Sequence, residues 1–102
     1  MTVRLVVRRR FTVDLAAGFD WYEGQRPGLG EYFLSAVQAK LSTIQRNPEI
    51  FVSVYTDVRR AIVSRFPFGI FYLIEPKRIV VLRLLHTARD PNLWPRPRSK
   101  TR

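Results

Sequence analysis

From Phe68 to Leu85 the chain is apolar at nearly every position, and only Glu75-Pro76-Lys77-Arg78 and Arg83 interrupt the run. Pro76-Lys77 predicts a tight turn, which divides the run into two strands, Phe68 to Glu75 and Ile79 to His86. Strands with so little polar alternation must be covered on at least one face. A hairpin cannot cover itself. The rest of the chain must therefore supply a second layer, which makes this a two-layer domain.

The covering layer is legible upstream. Thr12 is placed to cap a helix, with Asp14 in the first turn, where the positive helix end favours a carboxylate. Leu15, Phe19 and Tyr22, with Ala16, fall on one face at helical spacing. Gly24 weakens the helix and Arg26-Pro27-Gly28 stops it. A second helix carries Phe33, Val37, Leu41 and Ile44 in one stripe, widened by Leu34, and ends at Asn47-Pro48. So short a connection makes the two helices an antiparallel hairpin. Val3 to Arg8 and Val58 to Ser64 are the remaining strands, the latter cut from Phe68 by Pro67. The expected order is β-α-α-β-β-β. This is an α+β fold, a helical hairpin packed on a small, mainly antiparallel sheet. From Ala88 onward prolines and arginines predict an extended tail. Residues 1–98 are read as one domain and 99–102 as a basic tail.

The 102 residues include 18 basic and 8 acidic side chains, a net charge of +10. Residues 1–50 hold 7 basic and 5 acidic, hence +2; residues 51–102 hold 11 and 3, hence +8. Such a field draws in polyanions, either nucleic acid or an acidic protein segment. No cysteine is present, which removes disulfides, thiolate metal sites and cysteine nucleophiles. With a single histidine besides, no metal site and no cofactor are expected. The apolar run Leu5-Val6-Val7 is far too short for a signal peptide, and no stretch reaches the roughly 18 apolar residues of a membrane span. A cytoplasmic location is expected, without membrane contact.

Four local runs sharpen this reading. They are Tyr22-Glu23-Gly24-Gln25-Arg26-Pro27-Gly28-Leu29-Gly30 followed by Phe33; Asn47-Pro48; Arg59-Arg60 followed by Arg65-Phe66-Pro67-Phe68-Gly69-Ile70-Phe71-Tyr72; and His86-Thr87-Ala88-Arg89-Asp90-Pro91 with Trp94. In this order they resemble the ParE/RelE superfamily of toxins from type II toxin–antitoxin systems, and look closer to ParE. The resemblance implies a toxin silenced by a small acidic antitoxin, encoded by a neighbouring gene, in a toxin–antitoxin hetero-oligomer. RelE-like members cleave messenger RNA on the ribosome; ParE-like members are known for poisoning DNA gyrase. No lysine lies between Lys40 and Lys77 and no tyrosine follows Tyr72, so the lysine and tyrosine typical of RelE-like catalysis have no counterpart here. Gyrase inhibition by binding is the expectation, with ribosome-dependent RNA cleavage as the alternative.

Metal-independent RNA cleavage requires a base, an acid and cations for the phosphorane charge. Arg65, Arg83 and His86 are the residues that would serve. Strand alternation places Arg83 on a face with Ile79, Val81 and Leu85, either at a groove rim or in an ion pair with Glu75. His86 either takes part in chemistry or holds the turn that follows it by hydrogen bonding. For a binding toxin, Arg59, Arg60, Arg89, Trp94, Arg96 and Arg98 form the candidate target surface, although Arg59 and Arg60 point to opposite faces of one strand. Trp94 either grips the target or docks on the domain's own sheet. Trp21 and Tyr22 are the candidate antitoxin anchors; Tyr22 is in phase with the core stripe, which leaves Trp21 on the flank.

Overall fold

The computed structural model describes residues 3–88 and 91–95. Strand β1 (Arg4–Val7) leads into helices α1 (Arg9–Gln25) and α2 (Leu29–Arg46), then strands β2 (Val52–Tyr55), β3 (Val58–Ile62), β4 (Phe68–Glu75) and β5 (Arg78–His86). One-turn 3-10 helices occupy Pro48–Ile50 and Pro91–Leu93. The sheet order is β1-β5-β4-β3-β2; β1 runs parallel to β5 and every other neighbour is antiparallel.

The helical hairpin covers one face of this sheet, as expected. Phe33, Val37 and Ile44 of α2 are fully buried against Ala61, Ile70, Tyr72, Ile79, Val81 and Leu84. Leu41 packs partly buried beside them. The helices approach closely at Gly18, where an added Cβ would lie 2.6 Å from the Phe33 ring. Tyr22, Phe66 and Phe68 surround that ring, with centroids 5.0 Å, 5.2 Å and 5.1 Å from it in that order. Between the helices Gly28 adopts φ +92°, a left-handed conformation that favours glycine. Glu23 then serves as the cap of α2, accepting the Gly28 N–H at 3.0 Å and the Gly30 N–H at 2.9 Å.

Four expectations change. Helix α1 begins at Arg9, directly after β1, so Thr12 is inside the helix and no side chain caps it. The buried face of α1 runs through Phe11, Leu15, Gly18 and Tyr22, whereas Ala16 is exposed. Burial of Phe11 against the sheet outweighs a local capping preference worth only about 1 kcal/mol. A further strand, β2, forms the edge beside β3; its four residues carry an irregular register between Ser53 and Tyr55 and were too short to stand out. The segment after Ala88 is not wholly extended, since Pro91–Leu93 forms one turn of 3-10 helix.

The α2–β2 connection is pinned from below by the sheet. The Tyr72 hydroxyl donates to the Pro48 carbonyl at 2.6 Å, and the Arg59 guanidinium donates to the carbonyls of Phe51 at 2.7 Å and Glu49 at 3.2 Å. Burial pushes the Tyr72 phenol up to about 12, with Arg59 pulling slightly the other way. Because the folded-state value lies above the ordinary 10.0, the phenol's contribution is complete below pH 10 and is lost as pH rises through 12. Tyr72→Phe is expected to cost about 1 kcal/mol near neutral pH. It should also remove part of the alkaline loss of stability, measured by urea unfolding across this range; an unchanged alkaline slope would contradict the assignment.

Candidate functional site

Strand β1 pairs with only the first part of β5, from Arg78 to Val81. The last bond of that ladder is the Arg8 N–H donated to the Val81 carbonyl at 2.9 Å. Beyond it α1 crosses the uncovered β5 edge, and Asp14 occupies the place a longer β1 would have filled. Its Oδ2 accepts the Leu84 N–H at 2.9 Å. The same carboxylate accepts Arg83 Nε at 2.7 Å and Nη2 at 3.0 Å, a bidentate pair whose side chains are 18% and 14% exposed.

Arg83 is thus paired with Asp14, not with Glu75, which instead accepts from Arg78 Nε at 2.6 Å. A β-bulge explains the difference. Phe71 faces Arg83 while Tyr72 faces Val81, so Leu82 has no partner on β4 and the alternation of faces breaks there. Ile79 and Val81 join Leu84 in the helix-covered core, whereas Leu85 belongs to a second cluster with Val58 and Phe71. Arg83 therefore does not share one regular face with Ile79, Val81 and Leu85. The hydrogen bonds that Arg83 donates to Asp14 raise its pKa above the ordinary arginine value despite its burial. It is a fixed cation already matched by a carboxylate, and neither an acid nor a base.

His86 is exposed at the end of β5, its Nδ1 accepting the Ala88 N–H at 3.0 Å and its ring edge-on to Phe68 at 5.3 Å. It holds the following turn, as the plainer reading of a lone histidine expected. Arg65 sits in the β3–β4 connection with a left-handed φ of 71°. It lines a different hollow, with Tyr32, Ser35 and Phe66. Asp14, the partner of Arg83, lines one groove with His86, but neither Arg83 nor Arg65 lines that groove. The three residues do not form one acid–base constellation.

Arg59 and Arg60 point to opposite faces, as alternation requires. Arg59 is spent on backbone carbonyls of the α2–β2 connection. Arg60 lies across Gly69, where an added Cβ would fall 2.8 Å from its Cγ, and its guanidinium carbon is 5.0 Å from the Trp94 ring centroid. Its buried Nε has no hydrogen-bond partner. Trp94 also packs on Phe71 at 5.3 Å, so the indole docks on the sheet face away from the helices. Arg89, Arg96 and Arg98 lie outside the described residues.

On the helical side Trp21 is 63% exposed and Val13 56%. With Ala17 between them they form an apolar stripe at four-residue spacing on the outer face of α1. A groove of about 190 Å³ runs beside it, lined by Ala17, Gly18, Trp21, Phe68 and Leu84, with Asp14 and His86 at its polar margin. Tyr22, the other candidate anchor, is half-buried in the aromatic cluster and faces inward. Burial raises its phenol pKa. Asp14 was the residue that sequence reasoning placed wrongly. A signal existed: it lies in phase with Phe11, Leu15 and Gly18, a carboxylate on an otherwise apolar stripe. Among the described residues no group of three histidine or carboxylate side chains could hold a metal ion.

The pattern that defines the ParE toxin of the type II toxin–antitoxin system parDE matches residues 5–91. The chain belongs to the ParE toxin family. Among solved structures, the chromosomal ParDE toxin–antitoxin system from P. aeruginosa has the same fold. Its TM-score is 0.64 at 24% identity, covering 82% of this chain and 95% of that one. No curated protein matches. The ParE match takes in both helices and all of the sheet except Arg4, including the Asp14–Arg83 pair and the Val13–Trp21 stripe. It stops before Trp94, so the indole that docks on the far face of the sheet lies just beyond the family's shared segment.

Proposed function

We propose that this ParE-family toxin stops growth by binding DNA gyrase in the cytoplasm, and that a small acidic antitoxin from a neighbouring gene silences it in a hetero-oligomer. The observation that carries the binding mode is the state of Arg83. Arg83 is neutralised by Asp14, and His86, at the end of the same strand, has one ring nitrogen committed to a backbone N–H. A ribonuclease would need these groups free to meet a phosphate and its leaving oxygen. ParE-like toxins are known for poisoning gyrase, which supports that target. Arg60 and Trp94, with Arg89, Arg96 and Arg98, are the surface proposed to meet it. Trp21 anchors the antitoxin, as a large exposed indole beside a small-residue groove is suited to receive a helix.

The test is induction without the neighbouring gene, followed by labelled amino-acid incorporation and by supercoiling with purified gyrase. Steady early incorporation with inhibited supercoiling supports the proposal. A collapse of incorporation within minutes, abolished by His86→Ala, would replace it with ribosome-dependent RNA cleavage that depends on His86. His86→Ala is the useful variant because His86 is exposed, whereas Arg83→Ala would leave Asp14 unpaired and disturb the fold.

A further inference from the structure

A second concavity, about 510 Å³, lies where β1 ends and α1 begins. Its lining combines three arginines, Arg8, Arg10 and Arg83, with the apolar side chains of Leu82, Leu93 and Pro95. Arg8, Arg9 and Arg10 stand at the start of α1, where the helix dipole favours anions, yet its first turn holds no acidic residue and no side chain caps it. Among the described residues no carboxylate pairs with Arg8 or Arg10; Asp14 is committed to Arg83 and the Leu84 N–H. Arg8 and Arg10 therefore concentrate positive charge here with no paired carboxylate among the described residues.

Two features say what kind of anion fits. Leu93 is 54% exposed and, with Leu82 and Pro95, offers an apolar surface that a phosphate backbone would leave unused. A peptide carrying both carboxylates and an apolar side chain matches both halves of the lining. Two groups of the β5 edge beside the concavity are already taken, the Val81 carbonyl by Arg8 N–H and the Leu84 N–H by Asp14. An incoming segment cannot add there as a strand and must bind through its side chains.

We infer that this concavity seats an acidic, extended segment of the antitoxin, with carboxylates on Arg8 and Arg10 and an apolar side chain against Leu82, Leu93 and Pro95. The inference rests on the antitoxin reading above. Asp14 lines the Trp21 groove and its partner Arg83 lines this concavity, so one chain can occupy both, a helix along Val13–Trp21 continuing into the acidic segment.

The test measures binding of the neighbouring gene's product to the wild-type toxin, to Arg8→Glu/Arg10→Glu, and to Arg26→Glu/Arg46→Glu. The last changes the charge equally at exposed sites elsewhere on the helices, and thermal melts verify that both variants fold. Loss of about tenfold affinity for each arginine reversed at positions 8 and 10, with little loss in the control, is the expected result. Reversing the contacting acids of the partner to arginine should then restore binding to Arg8→Glu/Arg10→Glu. Equal losses in the two variants would overturn the site in favour of bulk charge. Unchanged partner binding, or loss confined to a short DNA duplex, would overturn it in favour of an uninvolved or phosphate-binding surface. Failure of the wild type itself to bind the neighbour's product would instead overturn the antitoxin reading, and this inference with it.

Discussion

Asp14→Ala is expected to lower the unfolding free energy by about 3 kcal/mol, because it leaves the Arg83 guanidinium and the Leu84 N–H without their partner in a largely enclosed place. For a domain of this size that corresponds to a fall in melting temperature of roughly 10–20 °C. Arg83→Ala should cost a similar amount, since it strands the carboxylate. The pair is distinguished from two independent contributions by the double variant Asp14→Leu/Arg83→Leu, which removes both charges and should recover much of the loss. Urea unfolding of the four proteins decides this. Additive losses in the double variant would show that the two side chains act separately and would remove the pair's claimed role at the β5 edge.

Phe33→Ala should be costlier, about 4 kcal/mol, because a fully buried ring at the centre of the aromatic cluster would be replaced by a cavity. Collapse is hindered on both sides. Gly18 has no side chain to fill the space, and Phe66 and Phe68 are held by the strand connection. A domain whose total stability is about 5–15 kcal/mol would then be marginal. Co-expression with a binding partner should restore soluble yield by mass action. A loss below about 1 kcal/mol would mean that the cluster repacks and that Phe33 is not its keystone.

The periodic features of the chain translated well into structure. The stripe Phe33, Val37, Leu41, Ile44 is the packed face of α2, and the Pro76-Lys77 turn separates β4 from β5. Repetition along a helix or strand reports burial directly, since each position averages over several neighbours. Single-residue signals fared worse. Thr12 does not cap α1, and β2 was hidden because four edge residues carry almost no pattern. For the site, Trp94 on the sheet, His86 on its turn and an ion pair for Arg83 had been legible as alternatives, whereas the carboxylate that pairs with Arg83 had not.

The sequence alone determined the element types, their order apart from β2, the excess of positive charge, and the family through four runs spread along the chain. Each depends on spacing or composition within a few residues of its neighbours. Only the tertiary structure decided which charges remain available. A bulge at Leu82 shifts the side-chain alternation of β5, and the short β1 leaves its edge open to α1. Together they bring Asp14 to Arg83 across 69 residues. A pairing of that separation has no local pattern to announce it. It arises because an uncovered strand edge and a buried cation both need the same carboxylate.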